Sequence, residues 1–131
     1  GGFDPNLGRK GKNLLSNEEV YTTELALKGG YQVAYLPDAL AAHNVAPERT
    51  KVAWFLQRSW WQGISECYRE EIAGRTGVAQ LGRGGERIVR GLYKTFKYFA
   101  DPAQRFDNFV YAYGQIGYLS AAIKGMLRPA K

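Results

Sequence analysis

Apolar and polar positions divide the 131-residue chain into a short amphipathic segment, an extended stretch and three longer helical patterns. The first predicted helix begins at Ser16, because Ser16 and Glu19 have capping-box spacing, with the serine bonding a backbone N–H and the glutamate reaching back. Val20, Leu25 and Leu27 supply its apolar contacts, and Gly29-Gly30 is a C-terminal stop. The aromatic and β-branched run Tyr31–Leu36 then reads as a strand ended by Pro37-Asp38, and Leu40–Val45 as a second short strand.

From Pro47 the period changes. Val52, Phe55, Leu56, Ser59, Trp60, Gly63, Ile64 and Cys67 recur as one side of a long, mostly buried helix over about residues 51–72. Glycines at 74, 77, 82, 84 and 85 interrupt any period and predict a flexible linker over 74–85. Beyond it Ile88, Val89, Leu92, Tyr93, Phe96 and Phe99 follow helical spacing, with Arg87, Arg90, Lys94 and Lys97 on the other face. Asp101-Pro102 starts a final helix, aspartate as N-cap and proline at the first helical position, with Phe106, Val110, Tyr113, Gly117, Ser120, Ile123 and Leu127 near one stripe. The expected fold class is α+β, mainly helical, with a first unit over residues 1–73, the linker, and a basic amphipathic helical region over 86–131.

Composition narrows the classes. The 45% hydrophobic and 14% aromatic content argues against disorder, and no apolar run approaches the roughly 18 residues of a spanning helix. Cys67 is the only cysteine, which excludes an intramolecular disulfide and a cysteine-rich zinc site. The net charge of +6 is concentrated after Arg75, where the cations face only Glu86, Asp101 and Asp107. Such a balance favours a polyanionic partner: an anionic lipid surface, a nucleic acid or a phosphorylated substrate. No nucleic-acid recognition motif accompanies it.

Two apparent phosphate motifs fail on spacing. Gly8-Arg9-Lys10-Gly11-Lys12-Asn13 lacks both the glycine spacing and the Lys-Ser/Thr pair of a P-loop, and Gly82-Arg83-Gly84-Gly85 has no strand before it. Glu18-Glu19 at the head of the first helix is the candidate for acid–base chemistry, with helix capping as its competing role; a helix N-terminus holds a carboxylate as the anion a base must be. A lone histidine such as His43 is more often a structural residue than a metal ligand, and the Trp54, Trp60, Trp61 cluster reads as helix packing ahead of a sugar platform.

The order of these features adds information. Gly1-Gly2-Phe3-Asp4, the acidic pair, Gly29-Gly30-Tyr31, Leu36-Pro37-Asp38-Ala39, Ala42-His43-Asn44-Val45 and Arg58-Ser59-Trp60-Trp61-Gln62-Gly63 together resemble the second half of the family 2 glycosyltransferases over roughly residues 1–70. The resemblance implies a GT-A α/β fold. It further implies an inverting transfer from a nucleotide-diphosphate sugar to an acceptor hydroxyl of a glycan or lipid-linked glycan, with Glu19 as base supported by Glu18. That family carries Glu-Asp at this pair, so Glu19 reaches one methylene further. His43 then corresponds to a residue that helps hold a divalent ion, Mg or Mn, and Arg58, Trp61 and Gln62 to residues facing the acceptor or the diphosphate. The chain lacks the Asp-x-Asp of the family's donor-binding half, which predicts a C-terminal portion that is inactive alone. The basic helices are then expected at the inner face of the cytoplasmic membrane, in a cytoplasmic, peripheral protein.

Overall fold

A computed structural model describes residues 8, 9, 11 and 13–127. The order is α1 (Glu18–Lys28), a 3-10 turn (Pro47–Thr50), α2 (Val52–Ile72), α3 (Val78–Lys97) and α4 (Pro102–Met126). α4 is the central helix, with α2 and α3 both packed along it.

The contacts are close because small residues face each other. A Cβ on Gly63 of α2 would overlap the Gly114 carbonyl and approach the Tyr118 backbone nitrogen of α4, and one on Gly117 would overlap the Trp60 carbonyl. Between them the Ser59 hydroxyl donates 2.6 Å to the Val110 carbonyl. α3 meets α4 in the same manner, Gly91 against Ala112 and Gly84 against Leu119 and Tyr118. The buried cluster is Cys67, Tyr118, Ala121 and Ala122, flanked by Ile64, Tyr68, Leu81 and Leu119.

Four sequence expectations are corrected. No strand forms among the described residues: Tyr31–Leu36 and Leu40–Val45 are irregular and exposed. Aromatic and β-branched residues favour a strand only when a neighbouring strand and a covered face are available, and neither adjoins this segment. The α+β class and the GT-A-like pair of strands therefore give way to an all-helical arrangement. The predicted linker is helical from Val78, since Gly84 and Gly91 are where α3 touches α4. The capping box does not form: Asn17 is the N-cap, in the left-handed region at φ 84°, and Ser16 bonds elsewhere. Finally, α2 is buried only in its second half, with Val52 58% and Phe55 38% exposed. The Asp101-Pro102 start is as expected, with the Asp101 carboxylate accepting 3.0 Å bonds from the Ala103 and Gln104 amides.

One polar network ties the three long helices together. The Glu70 carboxylate, on α2, accepts from the buried Tyr118 hydroxyl of α4 at 2.6 Å and from Arg83 of α3 at 2.8 Å, with Arg87 at 3.6 Å. Burial alone would raise the Glu70 pKa, but the Tyr118 hydroxyl and the Arg83 and Arg87 guanidinium groups outweigh it and hold the carboxyl below its ordinary value. Burial, with the Glu70 bond, pushes Tyr118 up to about 12, so it remains the donor. Burial and Glu71 likewise push the Cys67 thiol up to about 12, which makes it a packed thiol and not a nucleophile at neutral pH.

A depressed folded-state pKa means that the unfolded chain binds the Glu70 proton more readily. The stabilisation is present above the unfolded carboxyl value and is lost as pH falls through the folded one. Glu70→Ala should cost about 2 kcal/mol at neutral pH, because it leaves the buried Tyr118 hydroxyl unpartnered. It should also flatten the acid limb of the stability profile. Chemical denaturation across the acid range checks both, and an unchanged acid limb contradicts the assignment.

Candidate functional site

The site forms where the chain enters α1. Arg58 and Gln62 lie one turn apart on α2, and Ser65 continues the same face. Arg58 Nη1 donates to the Leu14 carbonyl and to Ser16 Oγ, both at 3.0 Å. Ser16 Oγ donates to Gln62 Oε1 at 2.9 Å, and Gln62 Nε2 donates to Asn17 Oδ1 at 2.9 Å. The Ser16 amide donates to Ser65 Oγ at 3.0 Å. These five bonds strap Leu14–Asn17 onto α2, and Leu15, Ser16 and Asn17 are buried beneath the strap.

The strap explains the missing capping box. Ser16 and Asn17 are the residues able to cap α1, but both side chains are committed to Arg58 and Gln62. Asparagine tolerates the left-handed conformation this requires better than other non-glycine residues. The chain turns at Asn17 and delivers Glu18 and Glu19 into the first turn of α1, at the positive end of its dipole. An ion pair between Arg69 and Glu24 anchors the next turns of α1 to α2.

Electrostatically, the carboxylates and Arg58 form one cluster. Burial lowers the Arg58 pKa, the neighbouring Arg9 lowers it further, and the charges of Glu19 and Glu18 oppose both. Arg58 remains a guanidinium throughout the neutral range. Glu19 is exposed, whereas Glu18 is half-buried and its Oε2 is covered with no hydrogen-bond partner among the described residues. The arrangement places an accessible carboxylate and a shielded one within Coulombic reach of the Arg58 guanidinium, with Arg9 near it as well, and without an ion pair between them among the described residues. It can accept a proton from a hydroxyl and attract an anionic group.

Of the residues singled out from sequence, Glu18, Glu19, Arg58 and Gln62 come together. Trp61 is half-buried beside the Arg58–Gln62 face; its carbonyl accepts from Ser65 Oγ at 2.8 Å, and its side chain makes no hydrogen bond among the described residues. His43 lies in the exposed segment after α1. Among the described residues no group of three His, Cys, Asp or Glu side chains is placed to share a metal ion. Sequence reasoning missed Arg9, Ser16 and Asn17 as members of the cluster. Nothing local signals that Arg9 adjoins a residue 49 positions later. Gly1-Gly2-Phe3-Asp4 lies outside the described residues.

Over 67 residues the chain is 36% identical to the glucosyl-dolichyl phosphate glucuronosyltransferase of Haloferax volcanii, a match covering 50% of this chain and 21% of that enzyme. The chain thus spans about a fifth of the length of this relative. No family model matches the chain, and no solved structure matches it. The similarity supports glycosyl transfer as the general class of chemistry.

Proposed function

We propose that this chain supplies the acceptor-side carboxylates of an inverting, family 2-like glycosyltransferase acting on a glycan or lipid-linked glycan. The observation that carries the reading is the acidic pair at the head of α1, which follows directly on the Leu14–Asn17 segment that Arg58 and Gln62 hold to α2. The partial likeness to a glucuronosyltransferase supports it from sequence.

In this reading Glu19 removes the proton of the acceptor hydroxyl as its oxygen attacks the anomeric carbon of a nucleotide-diphosphate sugar. The glycosidic bond forms as the bond from the anomeric carbon to the diphosphate oxygen breaks, the diphosphate departs with the electron pair, and configuration inverts. Glu18 supports the base, and Arg58 with Arg9 draws the anionic reactant towards it. Gln62 acts by holding Asn17, and through it the start of α1.

The test uses the complete polypeptide that carries this chain. It is incubated with a panel of nucleotide-diphosphate sugars, UDP-glucuronate among them, and a polyprenyl-phosphate-linked glucose acceptor. Mass spectrometry should find the acceptor extended by one sugar, and NMR an inverted anomeric configuration. No transfer from any donor, or a retained configuration, overturns the reading.

A further inference from the structure

Along α3, Val78, Gly82, Gly85, Val89, Leu92 and Phe96 follow one another at steps of four and three residues, and Phe99 continues the repeat just past its end. This is the spacing by which one helix seats along another. α3 does not use it inside the molecule. It meets α4 through Gln80, Gly84 and Gly91, about a third of the helix circumference away. Val78, Val89 and Phe96 are accordingly 74%, 69% and 74% exposed, and the space beside Gly82 and Gly85 is open.

The apolar surface is two helices wide. Phe109, Ile116 and Ile123 of α4, seven residues apart and so in one line, are exposed. Thr95 of α3 and Phe106 and Phe109 of α4 line a shallow depression that joins this line to the seam. A helix of 20 residues is about 30 Å long and two helix widths are about 20 Å, so the face covers roughly 600 Å². A pair of such faces would bury about 1,200 Å² in total, the lower limit of a specific, stable interface.

The distribution of size along the seam identifies the occupant. Two glycines notch its N-terminal half, and Leu92, Phe96 and Phe99 fill its C-terminal half. Positions 82 and 96 lie equally far from Val89, and positions 85 and 92 nearly so. A second α3 running antiparallel, about a two-fold axis beside Val89, therefore sets Phe96 and Leu92 of each copy over Gly82 and Gly85 of the other. The pair is isologous and closed. A large side chain over glycine is also how α3 meets α4, where Leu119 and Tyr118 cover Gly84. α4 runs antiparallel to α3, since Gly84 meets Leu119 and Gly91 meets Ala112. The same axis thus turns the two Phe109–Ile123 lines towards each other.

Charge does not oppose the pairing. The positions flanking the seam carry one charge, Glu86, which pairs with Arg90 of its own helix at 2.6 Å. Arg83 bonds Glu70 of α2, and Arg90 and Lys94 line a separate depression with Asp107 and Asn108 of α4. These cations lie away from the seam, so two copies approach without bringing them together.

We infer that the seam of α3, with the Phe109–Ile123 line of α4, is the interface of an antiparallel homodimer. The inference stands apart from the sugar-transfer reading, and neither result decides the other.

The test is sedimentation velocity of the complete polypeptide over a concentration series. A dimer should form in the micromolar range, as an interface of this size does at its weaker end. Val89→Glu with Phe96→Glu should leave only monomer with an unchanged circular dichroism spectrum, since both positions are exposed in the separate copy. Gly82→Leu with Gly85→Leu, tolerated where both positions are open, should fill the notch and weaken the dimer by roughly tenfold or more. Orientation is read by cross-linking. Val89→Cys should give a disulfide-linked dimer on mild oxidation, whereas Val78→Cys should not, because antiparallel pairing holds the two 78 positions about 33 Å apart. The parent thiol, Cys67, is buried and should give none. Four results overturn the inference: a dimer that survives Val89→Glu with Phe96→Glu, Val78→Cys linking as readily as Val89→Cys, a monomer that sediments with lipid vesicles through this face, or a monomer at all concentrations in which Val89→Cys resists maleimide. The last would assign the face to another part of the same polypeptide.

Discussion

Gly63→Ala should lower the stability of the chain by about 2 kcal/mol or more, and Gly63→Leu should unfold it. In an open helix the alanine change would be favourable by up to about 1 kcal/mol, because alanine restricts the unfolded chain and glycine does not. At Gly63 the new methyl would meet the Gly114 carbonyl and the Tyr118 amide, both backbone groups of a long helix with no rotamer to change. α2 and α4 must then move apart, and the Cys67, Tyr118 and Ala121 contacts and the Ser59 to Val110 bond loosen together. Gly82→Ala and Gly85→Ala are the controls. Both glycines are helical in α3 with open space around the Cβ position, so the same substitution should raise stability there. Thermal melts followed by circular dichroism should show a loss of roughly 10 °C at Gly63 against small gains in α3. A Gly63→Ala protein as stable as the parent would refute the α2–α4 contact described here.

That contrast also shows what was legible in the sequence. Periodicity located the three long helices, and Asp101-Pro102 marked one start correctly. It could not distinguish the two uses of glycine. An isolated helical glycine is unfavourable locally, so the cluster from Gly74 to Gly85 reads as a break. The compensating contact is with α4, more than twenty residues away. The same limit applies to α3, where the apolar stripe was visible but not which side packs: Gln80, Gly84 and Gly91, opposite the stripe, face α4. The expected strands failed for a related reason. Their propensity was real, but a strand needs a partner, and residues 31–46 have none among the described residues.

The candidate site was half legible. The acidic pair stood out because two carboxylates opened a predicted helix, and Arg58 and Gln62 because of the resemblance around them. How they meet depends on Ser16 and Asn17 giving up the capping of α1 for bonds to α2, a competition between local and distant partners of similar strength. His43 lacked any such tether. Among the described residues its segment is exposed and makes no side-chain bond to the cluster.

Glu19→Gln in the complete polypeptide should reduce the rate of sugar transfer by about 10²–10⁴-fold, the usual contribution of a positioned general base. The amide preserves the shape and the exposed position of the side chain but cannot take the proton. Stability should barely change, since Glu19 makes no side-chain bond in the strap. Binding of the nucleotide sugar should also persist, so the loss falls on kcat and not KM. Glu18→Gln is the comparison that separates the two carboxylates. Its covered Oε2 makes it poorly placed to receive a proton directly, so its effect should be smaller. If Glu18→Gln instead slows transfer far more than Glu19→Gln, the base is Glu18 and the roles are exchanged. If neither substitution slows transfer by as much as tenfold, the acidic pair is structural, and the cluster around Arg58 does no more than hold α1 against α2.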